Sequence, residues 1–225
     1  MLTAIFDISY SKNFLKTQLF TTKGIIFSMK RCEWATDELL IKYHDKEWGV
    51  PLRNDRNLFE FLVLDGMQAG LSWSIILKKR NAYRKAFDNF NAETIAKYSS
   101  RHVSSLMKHD GLIKNKQKIT SAINNAERFL EVKKEFGTFY SYIWSFVGGK
   151  TIVNSYSKWR DVPAFSTESE KMSKDLKKRG FTFVGPTICY AFMQSVGLVN
   201  DHVINCFRRN HLIKLKMQNT SSKTA

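Results

Sequence analysis

Apolar residues recur at helical spacing along most of the chain. Either Thr36 or Asp37 can cap a first predicted helix. The apolar side of that helix consists of Leu39, Leu40 and Tyr43. The pattern therefore predicts an amphipathic helix in this part of the chain.

A second predicted helix carries an acid on its apolar side. Asp55 can cap this helix, and Leu58, Phe61 and Leu62 form its apolar face. Asp65 lies on that same face at helical spacing. A charged carboxylate in an apolar setting needs a cation, donors or a proton, and such settings are often functional. The alternative is an acid near a helix end that bonds to nearby backbone.

Further helices follow in the next part of the chain. Ser72 can cap a helix that extends to Phe87. Residues 91–98 and 102–109 predict two short helices. The length and composition of the chain suffice for one well-filled core, and two independent domains are not required.

Two longer periodic segments complete the helical prediction. Ile119 and Leu130 belong to one apolar stripe, which places Lys118 on the opposite, outward side. Thr167 and Glu170 fit a capping box at the start of a later helix.

No stretch alternates apolar and polar residues long enough to predict a sheet, so the predicted class is all-α. Residues 148–166 form an irregular connector, which we interpret as a crossover between two helical lobes. Residues 1–29 are expected to be a loosely ordered extension, with Met29 as the natural start. Residues 30–209 are the predicted main domain, and residues 210–225 are a polar, basic tail.

Charge and cysteine content narrow the function classes. Thirty-six Lys and Arg against twenty Asp and Glu give a net charge of +16, which favours a nucleic-acid partner over a generally basic background. No apolar run reaches membrane-spanning length, so we expect no contact with a membrane. Three widely spaced cysteines favour a reducing compartment with buried or metal-bound thiols.

A basic helix end, a turn and a new helix follow one another in residues 176–187. Gly180 supplies the turn, and Gly185 precedes Pro186 at the first position of the next helix. The basic residues of this segment are Lys177, Lys178 and Arg179. The pattern predicts a helix-hairpin-helix whose amides and basic residues bind a DNA phosphate. A helical hairpin without a ligand is the alternative.

Four residues are of the types that bind zinc. They are Cys32, His44, His202 and Cys206. His202 and Cys206 are four positions apart, which would put them on one face of a helical turn. The four complete a tetrahedral set with no open position, so the metal would be structural. From the spacing alone, a buried cysteine beside a histidine remains the alternative, and Cys189 is expected to lie in the core.

Aromatic residues cluster around these candidates in the sequence. Trp34, Tyr43, Trp48 and Trp73 are close to the proposed ligands or to Asp65. Core packing is their default role. An aromatic pocket with one acid is also the kind that holds a flipped, electron-poor base.

Five segments closely resemble motifs of the type I 3-methyladenine DNA glycosylases, over about residues 30–206. The segments are Arg31-Cys32-x-Trp34, Tyr43-His44-Asp45-x-Glu47-Trp48-Gly49-Val50-Pro51, Gln68-Ala69-Gly70-Leu71-Ser72-Trp73, Arg179-Gly180-Phe181-x-Phe183-Val184-Gly185 and Gly197-Leu198-Val199-Asn200-Asp201-His202. The resemblance implies a two-lobed, all-helical member of the helix-hairpin-helix glycosylase superfamily. It also implies one structural zinc that joins the N- and C-terminal parts through Cys32, His44, His202 and Cys206.

The resemblance further implies a DNA repair enzyme. It would flip 3-methyladenine out of double-stranded alkylated DNA and hydrolyse the N-glycosidic bond, leaving an abasic site. The base would be held by aromatics that match Tyr43, Trp48 and Trp73, with Trp34 beside them, while Gly70 and Leu71 enter the duplex. We expect a monomer in the cytoplasm of a bacterial cell.

One residue departs from the family pattern. The family has a glutamate where this chain has Asp65, which is our candidate for the catalytic acid. The shorter side chain requires a tighter pocket, a bridging water or a weaker contact with the base. Asp201 is assigned to holding the metal site. The competing hypotheses are a DNA-binding module that has lost turnover, and a zinc-stapled helical protein whose charge is incidental.

Overall fold

Ten α-helices make up most of the chain that the structure describes. The structure is a computed structural model, and it describes residues 19–22 and 25–221. The helices are α1 (Glu38–Lys46), α2 (Asp55–Gln68), α3 (Trp73–Ala86), α4 (Ala92–Ile95), α5 (Ser100–Lys108), α6 (Lys116–Phe136), α7 (Phe139–Ser145), α8 (Thr167–Lys178), α9 (Pro186–Ser195) and α10 (Phe207–Ser221). Short 3₁₀ helices cover Asp88–Phe90 and Trp159–Asp161. The predicted helical class is confirmed. None of the described helices combines the length and the apolar character that crossing a membrane requires.

Two small sheets correct the prediction that the chain has no strands. Strand β1 (Leu19–Thr22) pairs antiparallel with β2 (Ile25–Ser28). Strand β3 (Ile152–Val153) pairs in parallel with β4 (Val199–Asn200). Strands of two to four residues are too short to show an alternating pattern, which is why the sequence did not predict them.

The termini of the chain lie mostly outside the described part. Strands β1 and β2 fall within the predicted extension, whose other residues 1–18, 23 and 24 lie outside the described residues. Helix α10 covers most of the predicted tail, and residues 222–225 lie outside the described residues. The proposed domain limits and the natural start at Met29 therefore stay predictions.

Helix α2 is the centre of the core. Every residue from Leu58 to Met67 is buried, and α3, α6, α7 and α9 all pack against the helix. Phe59 is fully buried against Phe129 of α6, with ring centroids 4.9 Å apart. The apolar face that predicted this helix is thus only part of its buried surface.

Two predicted helix caps are confirmed. The Asp37 carboxylate accepts a hydrogen bond from the Leu40 backbone N–H at 2.9 Å, so Asp37 rather than Thr36 caps α1. The Ser72 hydroxyl accepts from the Ile75 N–H at 3.4 Å and caps α3. These bonds satisfy N–H groups that have no partner within the helix.

The predicted cap of α2 is one residue too late. The Asn54 side chain accepts from the Asn57 N–H at 3.1 Å and is the actual cap. Asp55 instead accepts from the N–H groups of Phe139 and Tyr140, at 3.1 and 2.9 Å. The carboxylate therefore caps the first turn of α7 and ties this helix to α2.

The capping box of α8 also lies one residue closer to the N-terminus than predicted. Ser166 and Ser169 form the box, and the Ser166 hydroxyl accepts from the Ser169 N–H at 3.3 Å. Thr167 is the first residue of the helix and Glu170 lies in its first turn. Ser and Thr are both favoured N-cap residues, so two neighbours of these types leave the exact cap position open in the sequence.

Lys118 is buried, although its position in α6 predicted an outward direction. Its ammonium group donates to the carbonyl oxygens of Met67 and Ala69, at 2.7 and 2.6 Å. Burial lowers the pKa of Lys118. The side chain thus caps the C-terminal end of α2, where the loop with Gly70 and Leu71 begins.

Gly197 allows two distant segments to meet. It has a φ of +75°, and an added Cβ would lie 2.5 Å from backbone atoms of Val50 and Pro51. Strand β4 follows directly and leads to His202. A side chain at this position would force apart the segments that carry the N- and C-terminal halves of the candidate site.

We predict that Gly197→Ala destabilises the fold far more than Gly137→Ala. Gly137 has a similar φ of +79° but open space around it, so its substitution adds only backbone strain of about 1–2 kcal/mol. The Gly197 variant adds a backbone clash to the same strain. Urea denaturation of both variants measures the difference. Equal losses of unfolding free energy would show that the contact with Val50 and Pro51 has no energetic weight.

Candidate active site

A pocket of about 250 Å³ lies where helices α1, α2, α3 and α9 meet the connector between α7 and α8. Five of its thirteen lining residues are aromatic, and its polar groups come from four different helices. The lining residues are Trp34, Leu40, Tyr43, Trp48, Asp65, Gln68, Ser72, Trp73, Ser74, Trp159, Ala191, Gln194 and Ser195. All four predicted base-binding aromatics and Asp65 are therefore brought together.

Asp65 is almost completely buried at the wall formed by α2, with 2% of its surface exposed. Its Oδ1 accepts a long hydrogen bond of 3.5 Å from the Ser195 hydroxyl. Its Oδ2 is buried without a partner. Burial raises the pKa of Asp65 well above its ordinary value, while Ser195 and the Arg80 charge act in the opposite direction. The carboxylate thus keeps unused acceptor capacity that a donor or a positive charge in the pocket can satisfy.

Tyr43 of α1 faces the same serine. Its hydroxyl donates to Ser195 Oγ at 3.1 Å. Burial, with the nearby Asp65 charge, raises the pKa of Tyr43, so the phenol keeps its proton at neutral pH. Three helices thereby contribute one chain of hydroxyl and carboxylate groups.

Tryptophans form the other walls. Trp34 contacts Trp48 edge to face with centroids 5.0 Å apart, and Trp73 lies 5.4 Å from Tyr43. The indole N–H groups of Trp34 and Trp73 are buried without partners. Flat apolar walls with polar atoms at their edges suit a planar heteroaromatic ligand.

Eight of the lining residues were not predicted as site residues, and Trp159, Gln194 and Ser195 are three of them. Trp159 lies in the 3₁₀ turn of the connector, with its ring 6.1 Å from Trp34 and 5.8 Å from Trp48. Gln194 and Ser195 lie at the end of α9. A tryptophan in an otherwise irregular segment was the available signal for Trp159. Nothing in the apolar pattern of α9 distinguishes the other two.

An ion-pair network supports the pocket from outside. Arg80 of α3 contacts Glu60 of α2 and Glu47 at the end of α1, both at 2.6 Å. Its guanidinium also lies over the Phe61 ring, 4.9 Å from the centroid. Because the three helices that meet here carry Tyr43, Asp65 and Trp73, this network fixes their relative positions.

The four predicted metal ligands form one buried cluster. The ligand atoms of Cys32, His44, His202 and Cys206 all lie within 4.8 Å of one another. Cys206 Sγ is 3.4 Å from both His44 Nε2 and His202 Nδ1, and Cys32 Sγ is 3.6 Å from His202 Nδ1. Residues 201–206 form a turn rather than a helix, which corrects the predicted geometry of the last two ligands.

Hydrogen bonds outside the cluster orient both imidazoles. His44 Nδ1 lies 2.8 Å from Asp45, which is held by Arg31 at 2.8 Å. His202 Nε2 lies 3.1 Å from the Trp48 carbonyl oxygen. With protons on these nitrogens, the other nitrogen of each ring presents a lone pair to the thiols. Two sulfur and two nitrogen atoms with such support fit a tetrahedral zinc ion.

The third cysteine is separate from this cluster. Cys189 is buried in α9, and its thiol donates to the Val184 carbonyl oxygen at 3.4 Å. Burial raises its pKa to about 12, so the thiol stays protonated. The core role predicted for Cys189 agrees with this position.

The predicted DNA-binding hairpin lies between α8 and α9. Lys177 and Lys178 are exposed, whereas Arg179 is bound to Glu135 and Asp175 at 2.6 and 2.8 Å. The turn continues with Gly180 at a φ of +85° and ends at Gly185, around which a Cβ would meet open space. The two lysines therefore present their charge to solvent, and the guanidinium of Arg179 holds the hairpin to α6.

The predicted wedge loop projects from the end of α2. Gly70 has a φ of +75° with nothing near its missing Cβ, and Leu71 is 36% exposed. An exposed leucine on a short loop beside the pocket has the shape of an apolar wedge.

Asp201 is buried and accepts three hydrogen bonds. The donors are Asn154 at 2.6 Å, the Tyr190 hydroxyl at 2.7 Å and the Gln194 amide at 2.8 Å. These bonds join the connector to α9 and hold Gln194 at the pocket. The carboxylate is satisfied by the protein itself, which fits a supporting role.

Comparison with known proteins decides the family. The family model for methyladenine glycosylase matches residues 34–209. The chain belongs to the methyladenine glycosylase family. A DNA-3-methyladenine glycosylase from Haemophilus influenzae is 46% identical to this glycosylase over 177 residues, covering 78% of this chain and 96% of the relative. The family resemblance of the sequence motifs is thus confirmed.

Solved structures support the same assignment. A crystal structure of 3-methyladenine DNA glycosylase I is 44% identical to this glycosylase, covers 79% of its chain and 98% of the other, and gives a TM-score of 0.77. A structure on 3-methyladenine recognition by the Staphylococcus aureus enzyme is 34% identical, covers 80% and 97%, and gives 0.78. The helical fold of this glycosylase is therefore that of its family.

We predict that Asp201→Asn destabilises this glycosylase by about 2–4 kcal/mol, because an amide cannot accept all three bonds from buried donors. Urea denaturation measures the loss. Asp110→Asn is the matched control, since Asp110 is a 94% exposed surface acid, and its stability should not change measurably. An Asp201→Asn protein with normal stability and metal content but no activity would instead assign this carboxylate to the chemistry.

Proposed function

We propose that this glycosylase excises 3-methyladenine from alkylated double-stranded DNA. The nucleotide would leave the duplex, its base would enter the aromatic pocket, and water would replace the base at the sugar carbon, leaving an abasic site. The observation that carries the proposal is the buried Asp65 carboxylate, whose Oδ2 lacks a partner inside a pocket with aromatic walls. The relatives named for this activity add support.

The chemistry of the lesion sets a modest task for the protein. Methylation at N3 makes the adenine ring cationic and weakens its bond to deoxyribose, so the base departs as a neutral molecule. Asp65 would accept hydrogen bonds from the flipped base and complement its positive charge. The aromatic walls would stack on the base, which contributes about 1–3 kcal/mol per base in comparable sites. Unstacking costs a few kcal/mol and least for damaged bases.

The shorter acid is accommodated by its surroundings in this proposal. Asp65 reaches less far into the pocket than a glutamate, and Ser195 and Tyr43 fill the space beside Oδ1. Oδ2 is the atom left for the base. A pocket that closes around the shorter acid is thus preferred here over a water bridge.

DNA would be held along two features outside the pocket. The exposed lysines 177 and 178 and the amides at the start of α9 would bind the backbone as a helix-hairpin-helix. Leu71 would enter the duplex where the base leaves, with Gly70 giving the loop its turn. The enzyme would act as a two-lobed monomer on the DNA of a bacterial cytoplasm.

A zinc ion would join the two ends of the domain. Cys32, His44, His202 and Cys206 would be its ligands, with no position left for substrate. When bound, the ion contributes folding free energy rather than reaction chemistry. Two ligands adjoin pocket residues in sequence, since Tyr43 precedes His44 and Trp34 follows Cys32 after one residue.

We predict that Asp65→Asn lowers release of 3-methyladenine by about 10- to 100-fold, because a charged hydrogen bond is replaced by a neutral one. Chromatography of bases released from methylated DNA measures the rate. Asp65→Glu is the matched control and is expected to keep most of the activity, because it retains the carboxylate.

Three outcomes would oppose this assignment. Unchanged release by Asp65→Asn would remove the carboxylate from the reaction. DNA binding without base release by the unmodified protein would favour a DNA-binding module that has lost turnover. Absence of DNA binding at low salt would favour a zinc-stapled helical protein whose charge is incidental.

We predict about one zinc ion per purified chain, and its loss in Cys206→Ser. Cys189→Ala is the control, because this buried thiol lies outside the cluster. It should keep the metal although it loses some core packing. Elemental analysis measures metal content. Thermal unfolding should show a lower Tm for Cys206→Ser, and adding a chelator should not lower the Tm of this variant further. A protein purified without metal and unaffected by added zinc would contradict the prediction.

A further inference from the structure

Ser195 lies between the two polar groups that α1 and α2 present to the pocket. Its Oγ is 3.1 Å from the Tyr43 hydroxyl and 3.5 Å from Asp65 Oδ1. Only 5% of the residue is exposed, and it also lines the pocket. As the last residue of α9, it is held by the turn that contains Gly197.

The single proton of the Ser195 hydroxyl sets the direction of both bonds. When Asp65 is ionised, as the proposed binding of a cationic base requires, its carboxylate only accepts, so Ser195 donates to it. The Ser195 oxygen then accepts a hydrogen bond from the Tyr43 hydroxyl, whose proton lies along that bond. The oxygen of Tyr43 is left with lone pairs that can accept, but with no proton to donate.

The two groups that Ser195 contacts consequently form an acceptor side of the pocket, which donor-bearing side chains such as Gln68 and Ser74 also line. Among the described residues, Asp65 Oδ2 has no hydrogen-bond partner, and the proton of the Tyr43 hydroxyl is engaged with Ser195. The buried pocket donors without a partner are the indole N–H groups of Trp34 and Trp73, which belong to the aromatic walls. A ligand edge with an amino group matches this acceptor side, whereas a carbonyl oxygen placed there meets only lone pairs.

We propose that Ser195 is a specificity-determining residue, because it engages the proton of Tyr43, leaves Tyr43 as a second acceptor beside Asp65, and thereby selects the amino group of adenine over the carbonyl oxygen of guanine. The proposal rests on the proposed function and adds to it the reason for the choice of base. Both 3-methyladenine and 3-methylguanine carry the methyl group at N3 and a positive charge in DNA. They differ at C6, which carries an amino group in adenine and an oxygen in guanine, and at C2, where guanine alone carries an amino group. Ser195 acts on the choice at C6.

Removal of the serine hydroxyl should relax this choice. In Ser195→Ala, the Tyr43 proton has lost its acceptor and can turn toward the pocket, where it can donate to a carbonyl oxygen. Ser195→Thr keeps the hydroxyl and is the matched control. Tyr43→Phe removes the second acceptor by another route and leaves Ser195 in place.

The test uses methylated duplex DNA that contains both lesions. Chromatography measures the rates at which 3-methyladenine and 3-methylguanine are released by the unmodified protein and by each variant. We expect the unmodified protein to prefer 3-methyladenine, Ser195→Ala to lower this preference about tenfold, and Ser195→Thr to keep most of it. Tyr43→Phe should lower the preference too, and the double variant should lose little more than either single one, because the two groups act through one bond.

The outcomes separate this proposal from the proposed function. If the unmodified protein releases both bases and Ser195→Ala leaves the ratio of their rates unchanged, Ser195 has only a packing role, even if both rates fall. This result would overturn the specificity proposal and leave the proposed function intact. If Ser195→Ala fails to fold, an unchanged ratio in Tyr43→Phe overturns the proposal in its place. No release of either base by the unmodified protein would overturn both proposals.

Discussion

From Leu58 to Met67, helix α2 has no residue left in solvent, and this burial constrains the rest of the molecule. Helices α3, α6, α7 and α9 are positioned by contact with one central element. The same helix carries the Asp65 carboxylate into the interior, at a cost that the surrounding apolar contacts must offset. Lys118 closes the helix at the point where the chain must leave the core. The packing of α2 therefore determines where the pocket forms, and it leaves one carboxylate oxygen, Asp65 Oδ2, without a hydrogen-bond partner among the described residues.

The pocket and the Cys/His cluster share their supports. Trp48 contributes its ring to the pocket and its carbonyl oxygen to His202. Tyr43 and His44 are neighbours on α1, and one lines the pocket while the other belongs to the cluster. A displacement of α1 would therefore move residues of both sites.

The sequence predicted what local patterns determine. Helix α2 and its buried acid follow from apolar spacing, and the metal ligands and pocket aromatics follow from family motifs. The caps of α2 and α8 were displaced by one residue because adjacent polar residues compete for the same N–H groups. The burial of Lys118 and the positions of Trp159 and Ser195 depend on contacts between distant segments. Periodicity carries no information about such contacts.

The Cys/His cluster also joins residues that are synthesised far apart in time. Cys32 and His202 are separated by 170 residues, yet their side chains are in contact. When Trp34, Tyr43 and Asp65 of a growing chain have been synthesised, Ser195, His202 and Cys206 have not. The pocket wall and the Cys/His cluster can therefore be completed only after nearly the whole domain has been synthesised.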